Sequence, residues 1–226
     1  MSSHHFVKEN QEPALIIANG EACSDELLGQ LLEWSPFVVV LDGALPRVLE
    51  RGIRIDAVLG DFDSCPDPAA LLAAYGPVEL VHTPDQDQTD LEKAIAWLMQ
   101  QNHRACNIVW ATGRRADHTF NNLVTLARFA GQIDMVLWDD HSRVFPLRHS
   151  FKKWYPAGFP VSLLPVPAAH GIRTENLAYP LQDESLEQPA RTGSSNHVLA
   201  EGFVQITYES GCLLLMECFD RPGHDF

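Results

Sequence analysis

The sequence has no Gly-x-Gly-x-x-Gly fingerprint and no Gly-x-x-x-x-Gly-Lys-Ser/Thr loop. Any phosphate it binds is therefore held by something other than these two glycine-rich cradles. Basic side chains are scarce, 16 against 30 acidic ones for a net charge of −14. A general nucleic-acid binder needs a basic face to displace counterions, so that class is excluded. Cysteine is also sparse: Cys23, Cys65, Cys106, Cys212 and Cys218 are odd in number and contain no Cys-x-x-Cys pair. This reads as a reduced cytoplasmic protein that uses cysteine as a small apolar residue and carries no zinc site. No apolar run approaches the length of a membrane span, and residues 1–13, with His4 and His5, hold no apolar export core and read as a loose tail. Internal repeats and low-complexity blocks are absent as well.

What is present is a recurring unit, an apolar strand that runs into a polar cluster. Leu15–Ala18 ends in Asn19-Gly20, Phe37–Leu41 in Asp42-Gly43-Ala44, and Ala57-Val58-Leu59 in Gly60-Asp61-Phe62-Asp63-Ser64. Val78–His82 precedes Asp85-Gln86-Asp87-Gln88-Thr89-Asp90, Asn107–Ala111 precedes Thr112-Gly113-Arg114-Arg115-Ala116-Asp117-His118, and Met135–Trp138 ends in Asp139-Asp140. Helical spacing follows two of these clusters, in Leu91, Ala94, Ile95 and Leu98 and again in Leu123, Leu126, Ala127 and Ala130. Strands alternating with helices predict a parallel sheet, whose carboxyl strand ends share one edge. The polar clusters should therefore converge in space. Thr89 with Glu92 three residues on fits a capping box, making Asp90 the first residue of its helix.

The chemistry of the clusters is that of metal and phosphate. Taken alone, the acidic run before Asp90 could be a solvated turn, but the pattern repeats across the chain. Asp61 and Asp63, one residue apart, can reach a single metal from a tight loop, and Mg²⁺ takes one or two carboxylates plus waters and phosphate oxygens. Arg114 and Arg115 precede a helix whose N-terminus also favours anions, and the arginine fork grips two phosphate oxygens at once. Together these point to phosphoryl or diphosphoryl transfer.

The texture changes near residue 142, where helical periodicity fades and Pro146, Pro156, Pro160, Pro165 and Pro167 appear. Val161–Leu164, Phe203–Tyr208 and Cys212–Cys218 read as strands, the last two joined through Glu209-Ser210-Gly211 as a hairpin. Gln182–Gln188 reads as an exposed acidic connection. The expected organisation is the tail, an α/β nucleotide-binding domain over 14–142 whose mostly parallel sheet is flanked by helices in a Rossmann-like manner, and a smaller all-β sandwich over 143–226. Trp34, Trp97, Trp110 and Trp138 read as core residues, and Trp154 as packing in the β region.

At this point the motifs carry a resemblance. Asp42-Gly43-Ala44, Gly60-Asp61-Phe62-Asp63-Ser64, Gln86-Asp87-Gln88-Thr89-Asp90 and Arg115-Ala116-Asp117-His118 resemble the ordered motifs of thiamin pyrophosphokinases, and Thr174–Leu181 and Gly193-Ser194-Ser195-Asn196 resemble that family's β-domain signatures. The resemblance implies a cytoplasmic homodimer that transfers the diphosphoryl group of ATP to the hydroxyl of thiamine, with the thiamine site completed at the subunit interface. It implies Mg²⁺ on Asp61, Asp63 and Asp90, with Asp42 nearby as a further ligand or hydrogen-bond acceptor, and ATP held by Arg115, Asp117 and His118; Asp42, Thr89 and Arg114 complete the candidate nucleotide set. Thiamine would be held by Gln86, Asp90, Ser195 and Asn196, Ser195 coming from the partner subunit. Whether Asp90 accepts the hydroxyl proton or is committed to the metal stays open. Three departures stand out: Arg114 occupies a position where the family often has glycine, Gln86 one where lysine is frequent, and Asn176 replaces a common glycine. Asparagine tolerates positive φ, so the last turn should survive. The alternatives are a diphosphokinase acting on a pterin alcohol, an aspartate-nucleophile phosphohydrolase using Asp61-Phe62-Asp63 with Asp139-Asp140, and a non-catalytic thiamine or nucleotide sensor.

Overall fold

A computed structural model describes residues 12–63 and 67–219; the predicted tail through residue 11, Ser64 of the third cluster, and Cys65 lie outside the described residues. The first half alternates as the periodicity predicts: β1 (Ala14–Ile17), α1 (Asp25–Leu32), β2 (Val38–Leu41), a 3-10 turn over Asp42–Ala44, α2 (Leu45–Glu50), β3 (Ala57–Gly60), α3 (Pro68–Leu72), β4 (Glu79–His82), α4 (Asp90–Gln100), β5 (Ala105–Val109), α5 (Ala116–Arg128) and β6 (Asp134–Asp139). A run of strands follows: β7 (Ser142–Pro146), β8 (Ser150–Tyr155), β9 (Pro160–Glu175), β10 (Gln182–Glu187), β11 (Gly193–His197), β12 (Gly202–Thr207) and β13 (Ser210–Cys218). No helix among the described residues is long and apolar enough to cross a membrane.

Strands β4-β3-β2-β1-β5-β6 lie side by side and parallel. Every residue of β1, β2 and β3 is buried, which is why these strands are continuous apolar runs: both faces of a parallel sheet are covered. Ala14 and Ile16 join Leu91, Ala94, Ile95, Leu98 and Leu126 of α4 and α5 on one face. Leu15 and Ile17 join Leu27, Leu28, Val48 and Leu72 of α1, α2 and α3 on the other. Strand order reverses between β1 and β5, the kind of switch point outside whose strand ends α/β sheets bind ligands. Only β4 departs from its expected apolar character. It is the edge strand and mostly exposed, with Val81 alone packed against the core.

The sheet continues through β7, antiparallel to β6, and then β13 and β9. Strand β13 serves two cores: Leu214 packs with the α/β residues, whereas Leu213 and Leu215 pack with Tyr155, Val161, Leu163, Ile172, Leu186 and Val204 in the β core.

Two sequence expectations fail here. Strands β12 and β13 form no hairpin. Thr207 pairs with Arg173 and Ser210 with His170, so both run antiparallel along the same edge of β9, opposite β10 and β11. Gly211, at φ +92° and with no room for a Cβ beside the Ala168 carbonyl, shifts the register where a reversal was expected; turn-rich residues mark bulges as readily as turns. Residues 182–188 are no loose connection either. They contain β10, polar because Leu186 is the one buried residue of the strand. The tryptophans divide. Trp97 and Trp110 are buried and Trp138 is half-buried, but Trp34 beyond α1 is 69% exposed and Trp154 stands out from β8. Asn176 adopts φ 62°, and its side chain bonds both the carbonyl and the amide of Ala200, so the turn survives the loss of glycine.

Between α4 and β5, His103 lies buried with its ring 5.2 Å from Phe37 and its Nδ1 without a hydrogen-bond partner among the described residues. Burial holds its pKa below the ordinary value. As pH falls below about 6.5 the unfolded chain takes up a proton that the folded chain resists, so stability is present above that pH and is lost below it. The slope from this residue is at most about 1.4 kcal/mol per pH unit. His103→Phe is expected to flatten the decline in urea midpoint between pH 6.5 and 5 relative to the unmodified chain; parallel declines would mean another group is responsible.

Candidate active site

The loops after β1 to β5 surround a pocket of about 460 Å³. Asp42, Asp61, Asp63, Gln86, Thr89, Asp90, Arg114, Arg115 and His118 all line it, so the convergence expected of the strand ends is realised. The acidic members come from the β2, β3 and β4 ends and the guanidinium groups from the β5 end, which gives the pocket two poles.

Asp42 is buried behind the β3 loop. Its Oδ1 accepts from the Gly43 N–H at 2.5 Å and its Oδ2 from the Phe62 N–H at 2.9 Å. Burial raises its pKa against the pull of these donors. Gly60 has no room for a Cβ because the Asp42 carboxyl fills that space. Phe62 is held at φ 62°, a conformation uncommon outside glycine, and the chain then delivers Asp61 and Asp63 to the pocket. Asp61 is half-buried. The Asp63 N–H at 3.1 Å and the Gln86 amide at 3.1 Å donate to it and lower its pKa, so it is ionised.

The capping box forms as predicted. Thr89 Oγ1 accepts from the Glu92 N–H, and Glu92 returns the bond to the Thr89 N–H at 2.9 Å. Burial alone would raise the Glu92 pKa, but the Thr89 N–H and the Arg128 guanidinium at 2.6 Å bring it below the ordinary value. Arg128 sits at the end of α5, so this carboxylate also ties α5 to α4. Asp90 is the first helical residue and faces the pocket.

Lys93 escaped the sequence reading. Its buried ammonium group donates to Asp90 Oδ1 at 3.2 Å and to the Thr83 carbonyl at 3.0 Å. Its place three residues after Asp90 was the available signal, since such positions share a helix face. Asn19 and Asn122 also line the pocket; Asn122 donates to the Ala111 carbonyl at 2.7 Å and so fixes the β5 loop.

Other predicted residues stand apart. Asp117 is not on the pocket wall; it pairs with the Arg115 guanidinium at 2.5 Å, which drops its pKa to about 2. Ser195 is exposed on β11, its N–H donating to Ser162 Oγ. Asn196 is buried, its amide group bonded to both the N–H and the carbonyl of Tyr179. Asp139 and Asp140, the acidic pair of the phosphohydrolase alternative, are engaged elsewhere. Asp139 accepts from Thr112 and Ser142, and Asp140 holds the backbone and hydroxyl of Ser24, the N-cap of α1.

Among the described residues no three His, Cys, Asp or Glu side chains are gathered closely enough to hold a metal alone. Mg²⁺ does not ask for that, because it draws most of its ligands from water and phosphate. The donor chemistry of Asp61, Asp63 and Asp90 on one pocket fits it.

Family models carry this geometry to known proteins. The thiamin pyrophosphokinase catalytic domain matches residues 28–137, and the thiamin pyrophosphokinase vitamin B1 binding domain matches residues 149–213. Thiamin pyrophosphokinase 1 of Caenorhabditis elegans is 34% identical over 116 residues, 47% of this chain and 46% of that protein. Thiamine pyrophosphokinase of Bacillus subtilis is 28% identical over 110 residues, 47% of this chain and 51% of that one. The matched stretch thus spans about half the length of these relatives. The crystal structure of thiamine pyrophosphokinase from Bacillus subtilis superposes with a TM-score of 0.78 at 21% identity, covering 92% of this chain and 100% of that one. With both domain models matched in order over most of its length, the chain belongs to the thiamin pyrophosphokinase family.

Proposed function

We propose that the protein transfers the diphosphoryl group of ATP to the hydroxyl of thiamine, giving thiamine diphosphate and AMP. The observation that carries this is the two-pole pocket, with carboxylates from the β3 and β4 ends facing guanidinium groups from the β5 end. A polyphosphate suits the second pole. A cation suits the first, and thiamine is one, in a protein of net charge −14.

In this reading Asp61, Asp63 and Asp90 hold Mg²⁺, which when bound neutralises charge on the phosphate oxygens. Arg114 and Arg115 grip the triphosphate by forked hydrogen bonds, with Thr89, His118 and Asp42 shaping the nucleotide side and Asp117 steadying Arg115. Gln86 faces thiamine, as does Ser195 from the partner subunit, and Asn196 supports the thiamine surface through its bonds to Tyr179. Residues 14–142 serve the nucleotide and 143–226 serve thiamine and dimerisation, in a cytoplasmic homodimer. The protein's work is chiefly to align the thiamine hydroxyl with the β-phosphorus and to exclude water. Lys93 engages one oxygen of Asp90, and in this reading Asp90 serves the metal and does not take the hydroxyl proton.

The reading is tested by incubating the protein with ATP, Mg²⁺ and thiamine and resolving the products. AMP and thiamine diphosphate in equal amounts, abolished by chelator, support it. ADP with thiamine monophosphate, thiamine-independent phosphate release, or saturable thiamine binding without turnover each overturn it. Lys93→Met removes a charge-assisted bond worth about 1.5–3 kcal/mol. It is expected to lower kcat by roughly 10- to 100-fold, and turnover within threefold of the unmodified chain would deny Lys93 a part.

A further inference from the structure

Arg47 lies on α2, behind the pocket, and no sequence motif singled it out. Its Nη1 donates to the Gly20 carbonyl at 3.0 Å and its Nη2 to Asn19 Oδ1 at 2.9 Å. Its guanidinium carbon stands 4.7 Å from the centroid of the Trp110 ring, in cation–π contact. The same Asn19 is gripped from the pocket side, where Arg114 Nη1 reaches the Asn19 carbonyl at 3.2 Å and its Oδ1 at 3.3 Å. On its third side Asn19 meets Gly43, where its amide nitrogen occupies the space a Cβ would need. The backbone seals the arrangement: the Gly20 N–H donates to the Trp110 carbonyl at 2.5 Å and the Glu21 N–H to the Thr112 carbonyl at 2.8 Å.

Arg114 is held at φ 53°, where a bulky side chain is disfavoured. Such a conformation persists only where the surroundings over-determine it, and it gathers at functional sites. Asn19 supplies that determination. Its one amide oxygen serves two cations, an arrangement with residual positive charge that an approaching polyanion relieves.

We propose that Arg47 is a positioning residue for the nucleotide: stacked on Trp110, it locks Asn19, and Asn19 aims Arg114 into the pocket. This rests on the reading of the pocket as a nucleotide site. The planar fork is what the brace requires, so lysine is no substitute for it.

The experiment is calorimetric titration of an ATP analogue with a methylene group between the α- and β-phosphorus. The proteins are the unmodified chain, Arg47→Met, Arg47→Lys, Arg114→Met and the Arg47→Met/Arg114→Met double variant, with steady-state KM for thiamine measured alongside. Each Arg47 variant is expected to weaken analogue binding about tenfold, the loss of one such bond, with the thiamine KM unmoved. The double variant should bind no more weakly than Arg114→Met alone, because the two residues act in series. If Arg47→Met does not fold, Arg47→Lys, which keeps stem and charge, reads the same difference. Restoration by lysine, multiplying losses in the double variant, or binding by Arg47→Met within twofold of the unmodified chain each overturn the brace alone. An unmodified chain that does not bind the analogue overturns the nucleotide reading and the brace with it.

Discussion

Asparagine in place of Asp61 is expected to lower turnover roughly 100-fold or more while leaving the melting temperature unmoved. The side chain is half-buried on the pocket wall and its pKa is lowered by the Asp63 N–H and the Gln86 amide, so a full negative charge is present at working pH. Asparagine keeps an oxygen for the Asp63 N–H, and Gln86 can turn its own oxygen toward the new amide, which preserves the local fold. What disappears is charge at the acidic pole. Losing one preorganised electrostatic partner of a phosphoryl centre costs about 3–4 kcal/mol of barrier, and each 1.36 kcal/mol is tenfold. Steady-state kinetics across a Mg²⁺ titration, with a thermal melt on the same samples, checks this. Turnover within threefold at all Mg²⁺ concentrations would remove Asp61 from the metal site.

The largest expected effect on stability lies away from the pocket. Glu217 of β13 is fully buried. Arg143 of β7 donates to its carboxylate, as do Lys153 and Tyr155 of β8, Lys153 at 3.1 Å. Burial, then the charge of Glu217, pushes the Tyr155 hydroxyl pKa upward. Glu217→Ala leaves these donors without a partner and opens a void. Breaking a buried pair from one side costs about 3–5 kcal/mol; Arg143 and Lys153 keep some contact with water, which places the expectation near the lower figure, about 3 kcal/mol. Glu217→Gln keeps the volume and an acceptor and should cost about half as much. Urea midpoints at constant m-value measure both, and an alanine variant within 1 kcal/mol of the unmodified chain would show that the cluster contributes little.

The α/β half was legible because its signals are local. Buried parallel strands are apolar without interruption, α4 carries its own start signal in Thr89 and Glu92, and the carboxyl ends of such strands share one edge whatever the loops contain. The pocket's charged members followed from that geometry. What stayed hidden depends on contacts that helix and strand periodicity does not display. Lys93 in a helix reads as a solvated charge until Thr83 and Asp90 are seen on either side of it, and Arg47 acquires meaning only beside Trp110, more than sixty residues on. In the C-terminal half, β10 is too polar to announce itself, because an edge strand on β9 buries little more than Leu186. The Glu209-Ser210-Gly211 signal was real, but the strand it lies against, and not its composition, decided that the chain should continue. Trp34 misled because an aromatic beside an apolar segment need not share its burial.

Strand β13 joins the two halves through hydrogen-bonded sheet, with Leu214 turned to one core and Leu213 and Leu215 to the other. A hinge needs a seam that opens without breaking ladder bonds, and no such seam runs along this strand. Loosening of either core strips the opposite face of β13 of its support, so denaturation should be a single concerted event and not a stepwise one. Any change in the pocket's shape then falls to the strand-end loops, which carry its lining residues.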